Sequence, residues 1–108
     1  KMAISPTQRT LKRLRDSGDY PLVTIVERWN NWAKIRQDLF GIIDILAIDS
    51  KGNTVGLQVT SYSNISARVK KMEASDAISH LRDANWVLLV EGWHKKDNKW
   101  VGRIVDIS

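Results

Sequence analysis

The stretch Leu39-Phe40-Gly41-Ile42-Ile43-Asp44-Ile45-Leu46-Ala47-Ile48-Asp49, then Ser50-Lys51-Gly52-Asn53, then Val55-Gly56-Leu57-Gln58-Val59-Thr60-Ser61, decides the fold. The first run is almost continuously apolar and β-branched, as a buried strand requires. Ser50 to Asn53 is turn chemistry, and Val55 to Ser61 reads as the returning strand. With the loop centred on Lys51, Asp44 falls opposite Gln58 and Ile42 opposite Thr60. Neighbours across a ladder point the same way, so Asp44 and Gln58 share a face, with Thr60 diagonal to Asp44. Polar side chains therefore converge at mid-strand in the most apolar hairpin of the chain. A one-residue slip would scatter them.

Upstream, the pattern predicts a helix from Pro6 to Asp16, capped by Ser5 or Thr7 and stopped at Gly18. Leu11 and Leu14 make a narrow apolar stripe, while Arg9, Lys12, Arg13 and Arg15 crowd the rest. Leu22 to Trp29 follows Pro21 and reads as a strand, with Val23, Ile25, Glu27 and Trp29 on one face. Asn30 to Gln37 has no clean period and reads as a loop holding Trp32, Lys34 and Arg36. Downstream, Ser63 or Asn64 caps a helix containing Ile65, Val69 and Met72. Ser75-Asp76 extends it or opens a second helix with Ala77, Ile78, Leu81 and Ala84 as its apolar face. Trp86 to Trp93 and Trp100 to Ile107 are the last strands, around a polar turn from Lys95 to Lys99 that sets Trp93 across from Trp100. The expected architecture is α/β, in the order α-β-β-β-α-β plus a final strand, with a mixed sheet flanked by helices.

Composition narrows the function. At 108 residues, the chain suits one domain, and 43% hydrophobic residues with five tryptophans can fill a core. It has no cysteine, which excludes disulfide scaffolds, thiolate zinc sites and a cysteine nucleophile. No apolar run approaches the ~20 residues of a membrane span and no signal-peptide pattern opens the chain, so the expected setting is cytoplasmic and away from membranes. Seventeen Lys and Arg against 12 acids give a net charge of +5, which favours an anionic partner, nucleic acid first. No Gly-rich phosphate loop, nucleophile elbow or zinc signature is present. His80 and His94 lack metal-ligand spacing.

Asp44 needs an account, because burying a carboxylate without partners costs several kcal/mol. It either bonds a loop or an arginine such as Arg28 or Arg36, or it belongs to a site. Hard cations such as Mg²⁺ take oxygen ligands, including one or two carboxylates with retained waters. Asp44, the Gln58 amide oxygen and the Val59 carbonyl offer such a partial shell. Glu27 on the preceding strand and Asp38 just ahead of the hairpin are further carboxylates at this end of the sheet. A metal held there would activate water and offset charge on a phosphate.

The arrangement Asp44-x13-Gln58-Val59-Thr60, on two strands after a helix and a strand and before a helix, resembles the PD-(D/E)xK nuclease superfamily. More closely, Val26-Glu27-Arg28-Trp29, Arg36-x-Asp38-Leu39-Phe40-Gly41-x-x-Asp44 and Gln58-Val59-Thr60-Ser61 look like small resolvase-like proteins of phages and bacteria. The resemblance covers roughly residues 8 to 105. It implies a single restriction-endonuclease-like domain over 1–108, in a bacterial or phage-infected cell, cutting DNA phosphodiester bonds with Mg²⁺ or Mn²⁺. It makes Asp44 the metal anchor, with Gln58 and the Val59 carbonyl completing the protein shell and Glu27 or Asp38 holding a second metal or orienting water. The superfamily's second motif is an acid, any residue, then lysine; here Gln58-Val59-Thr60 stands in its place. Lys71, or Lys70, from the next helix would replace the lysine, with Arg68 and Arg36 on phosphates. Relatives also carry a glutamate in the first helix, where Gln8 is the nearest substitute.

Three further expectations follow. Arg9, Lys12 and Arg13 either track a DNA backbone or form a solvated helix face. Trp29 and Trp32 either stack on bases or pack at the rim of the core. Exposed sheet edges would permit a homodimer. The expected function is a structure-selective, resolvase-like endonuclease. Its rival is an inactive DNA-binding or assembly protein on the same scaffold, for which the Gln58-Val59-Thr60 departure speaks.

Overall fold

The computed structural model describes residues 4–108. Helix α1 (Pro6–Ser17) starts where Ser5 Oγ accepts the Gln8 N–H at 3.2 Å, and it stops at Gly18, whose φ of +77° suits glycine. The chain then forms β1 (Leu22–Ile25), β2 (Arg28–Asn30), β3 (Ile35–Gln37), β4 (Ile45–Ile48) and β5 (Thr54–Ser61). A 3₁₀ turn over Tyr62–Asn64 leads into α2 (Ile65–Glu73) and α3 (Ala77–Asp83), then β6 (Val87–Lys96) and β7 (Lys99–Asp106).

Five strands form one mixed sheet in the order β1-β4-β5-β6-β7, with β5 and β6 parallel and the other pairs antiparallel. The parallel pair needs a crossover, and α2 with α3 supplies it. Helix α1 covers one face, where Leu11 and Leu14 pack on Ile45, Ala47, Val55, Leu57, Val59 and Leu89. Helices α2 and α3 cover the other, where Ile65, Met72, Ile78 and Leu81 meet Ile42, Ile43, Leu88 and Val90. The expected α/β class, the mixed sheet and the flanking helices are all present.

The expected hairpin register is present as well: Ile45 pairs with Leu57 and Ile48 with Thr54, so the loop is centred on Lys51. Asp49 closes that loop by accepting from the Lys51 and Asn53 N–H groups at 2.9 and 2.8 Å. The strand into the loop is shorter than the expected Leu39–Asp49. Ahead of Asp44 the chain folds into a tight turn, with Phe40 and Gly41 at positive φ and Ile43 N–H bonded to Leu39 O. This turn tucks Ile42 and Ile43 into the core, so Ile42 does not pair with Thr60. An apolar run bounded by a glycine satisfied burial without extension.

Leu22 to Trp29 is also not one strand. It breaks at Val26-Glu27, and its second part joins the expected loop as a two-stranded ribbon, with Arg28 opposite Gln37 and Trp29 opposite Arg36. At the last hairpin, Asp97 and Asn98 both take positive φ and make a two-residue turn. That sets Trp93 against Gly102 and Lys95 against Trp100, so the expected Trp93–Trp100 pair does not form.

Candidate metal centre

The site lies where β4 begins, on the α2 side of the sheet. Asp44 is 3% exposed, and its Oδ2 accepts the Val59 N–H at 2.9 Å. Its own N–H donates to Leu57 O at 2.8 Å. The turn before it brings Asp38 alongside, and the break after β1 brings Glu27. Carboxylate oxygens of Glu27, Asp38 and Asp44 all lie within 4.8 Å of one another, and these three could hold a metal ion. All the donors are oxygen, the set that suits a hard divalent cation.

Without a cation such a cluster repels itself. Burial, then hydrogen bonding to Asp38, then the negative charges of Asp38 and Glu27 push the Asp44 carboxyl up to about 8, against the opposing pull of the Val59 N–H. The Asp44 carboxyl thus keeps its proton near neutral pH.

Cations ring the acids. Lys71 Nζ stands 3.6 Å from Asp38 Oδ2, and Arg36 Nη1 donates to Glu27 Oε1 at 2.9 Å. Arg36, Asp38, Gly41 and Lys71 line one open hollow, and Arg36 with Glu27 and Gln8 lines another against the start of α1. Arg28 does not reach Asp44, and Arg36 pairs with Glu27 instead.

Gln58 is fully buried and links the acids to α2. Its Nε2 donates to Ile42 O at 2.7 Å and to Asp38 Oδ2 at 3.2 Å, while its Oε1 accepts from Arg68 Nη1 at 2.5 Å. The amide therefore turns its nitrogen toward the acids and its oxygen toward Arg68, the reverse of the orientation a metal ligand needs. Flipping it would place the NH₂ against a guanidinium and the oxygen against a carboxylate and a carbonyl. From Val59, the contact to Asp44 is the N–H. Thr60 is buried beside Gln58 on β5 and brings no charge to the cluster. Lys71 reaches the acids; Lys70 is exposed and has no salt-bridge partner among the described residues.

The basic face of α1 is largely committed within the protein. Arg13 Nη2 donates to Glu91 Oε1 at 3.1 Å, and its Nε lies 2.9 Å from Glu91 Oε2, off the hydrogen-bond line. Lys12 pairs with Asp16 one turn on, and the Arg9 guanidinium sits 3.9 Å over the Trp100 ring. Arg13 in particular is a structural counter-ion, since it answers a buried charge.

Glu91 is the residue that sequence reasoning missed. It is 1% exposed on β6 and accepts from Thr10 Oγ1 at 2.8 Å, while Trp93 Nε1 donates to the same Thr10 hydroxyl at 2.8 Å. An acid inside the apolar run Val87-Leu88-Leu89-Val90-Glu91 was the available signal, the same one that marked Asp44.

Among the described residues, no helix is long and apolar enough to cross a membrane. Comparison with known proteins finds no matching family model, no matching curated protein and no matching solved structure.

Proposed function

We propose that this protein is a metal-dependent DNA endonuclease with a restriction-endonuclease-like core, resolvase-like and selective for DNA structure. The observation that carries the reading is the cluster of Glu27, Asp38 and Asp44 within 4.8 Å, whose Asp38 lines an open hollow with Lys71 and Arg36. Mg²⁺ or Mn²⁺ bound there would offset phosphate charge and activate water. Around it, Lys71 takes the place of the motif lysine, Arg36 meets the phosphate backbone, and Gln58 holds Arg68 and Asp38 in position. The net charge of +5 supplies the non-specific attraction to DNA.

The test is cleavage of a labelled panel (supercoiled plasmid, linear duplex, single strand, flap and four-way junction) by wild type and Asp44→Ala with Mg²⁺ or Mn²⁺. Cutting that needs metal and disappears in the variant supports the reading. Equal cutting by both proteins overturns it.

A second reading has one observation in its favour. Gln58 offers its amide nitrogen to the acids, and Thr60 brings no cation, so the usual second motif contributes neither ligand nor lysine. On that reading the protein binds DNA or assembles on it without cutting. Gel shifts by wild type and Asp44→Ala alike, with no cleavage of any substrate, would select it.

A further inference from the structure

The β2–β3 ribbon leaves the main sheet and pairs with none of its strands. From Arg28 to Gln37 it carries Arg28, Lys34 and Arg36 and no acid. Trp32 at its tip is 97% exposed, and Trp29 on β2 is 56% exposed. Two indoles left largely in water, one on a three-residue strand and one on the turn after it, add little to the core, because exposed apolar area gains no burial energy.

The turn that presents Trp32 is nevertheless fixed. Asn30 Oδ1 accepts the Trp32 and Ala33 N–H groups at 2.9 and 3.0 Å, and Asn30 O accepts the Lys34 N–H at 2.8 Å. Asn30 Nδ2 also ties across to Gln37 Oε1 at 3.0 Å. Ordering of the tip is thus complete before any partner arrives, which removes a standard cost of binding. Across the ladder Trp29 faces Arg36, whose guanidinium reaches Glu27 of the acid cluster. One residue joins the aromatic arm to the proposed metal centre.

Indoles interleaved with cations match the demands of unpaired nucleic acid, a π-face for each base and positive charge along the backbone. A protein partner would select a surface depleted in lysine and continuous in apolar area. An apolar wedge on a basic ribbon also suits insertion between bases. We propose that the ribbon is a base-stacking arm: Trp32 stacks on an unpaired base of the strand whose phosphate enters the carboxylate hollow, with Trp29 beside it and Arg28, Lys34 and Arg36 along the backbone. The inference rests on DNA being the substrate of that hollow.

Binding and cutting are read separately in the full chain. Anisotropy in EDTA compares wild type, Trp32→Ala, Trp32→Phe and Lys34→Ala on a single strand, a blunt duplex and a duplex with a single-stranded tail. Trp32→Ala weakens single-strand and tailed binding by about fivefold or more. Blunt-duplex binding changes by less than about twofold, since phosphate contacts carry it. Trp32→Phe keeps a ring and recovers part of the loss, and Lys34→Ala weakens all three substrates alike. Equal loss on blunt duplex, or no loss anywhere, overturns the arm. So does a change of oligomeric state between wild type and Trp32→Ala in sedimentation without DNA, which would assign the ribbon to contact between copies. Wild type binding no DNA at low salt overturns the arm and the nuclease reading together. Metal-dependent cutting by wild type, with single-strand affinity intact in Trp32→Ala, overturns the arm alone.

Discussion

Two buried carboxylates lie on this sheet and the fold treats them in opposite ways. Glu91 on β6 stands in register with Val59 on β5, and Val59 supplies the N–H that holds Asp44. Glu91 faces α1 and meets Thr10 and Arg13, a hydroxyl and a guanidinium. Asp44 faces α2 and meets one backbone N–H and two more acids. Both are almost wholly withdrawn from water, at 1% and 3% exposure, so burial does not separate them. Partners do. Where a buried charge receives donors it is part of the framework, and where it receives further acids the cluster could hold a cation.

The sharpest way to break the comparison is to remove a partner on the satisfied side. Arg13→Ala leaves Glu91 a buried charge short of its counter-ion and should destabilise the protein by about 3 kcal/mol, measured by chemical denaturation. The opposite sign is expected at Asp44. Its carboxyl sits at about 8 in the folded protein, raised from the ordinary carboxylate value of 3.8. A raised carboxyl pKa means the folded state holds the proton more tightly, so this group's stabilising share is complete below about pH 4 and drains away up to about pH 8. Asp44→Asn should therefore raise the melting temperature near pH 8, leave it little changed near pH 4, and flatten the profile between. Loss of stability in Asp44→Asn at pH 8 would show the acid to be satisfied after all.

Smaller effects sharpen the contrast. Gln58→Leu removes the tie between Asp38 and Arg68 and leaves both without their amide partner, which should cost about 2 kcal/mol by thermal melt. Arg36→Ala breaks a pair in which the arginine is largely exposed, and should change stability by no more than about 0.5 kcal/mol. It should still weaken DNA binding in proportion to the salt-sensitive share of affinity, which a salt titration checks.

The hairpin at the centre of the sheet was legible because its signals are local. Turn chemistry from Asp49 to Asn53 fixed the register, and register placed Asp44 on the face of Gln58. Glu27 and Asp38 could be named as neighbours for the same reason. The turn at Leu39–Ile43 was hidden, because buried Ile42 and Ile43 look the same in a strand as in a folded loop; only Gly41 hinted at it. The ribbon was hidden because its strands are three residues long, too short for a period. The pairing of Arg13 with Glu91 spans 78 residues and leaves no local trace. The direction of the Gln58 amide depends on Arg68 and Ile42, which only the fold brings together.

The most direct test of the account is whether a divalent cation completes the Asp44 cluster. Electron paramagnetic resonance can count Mn²⁺ bound to wild type, Asp44→Asn and Glu91→Gln near pH 8. The account predicts binding by wild type, at least about tenfold weaker binding by Asp44→Asn, and affinity close to wild type in folded Glu91→Gln. Equal Mn²⁺ binding by wild type and Asp44→Asn, or none by wild type, would contradict it.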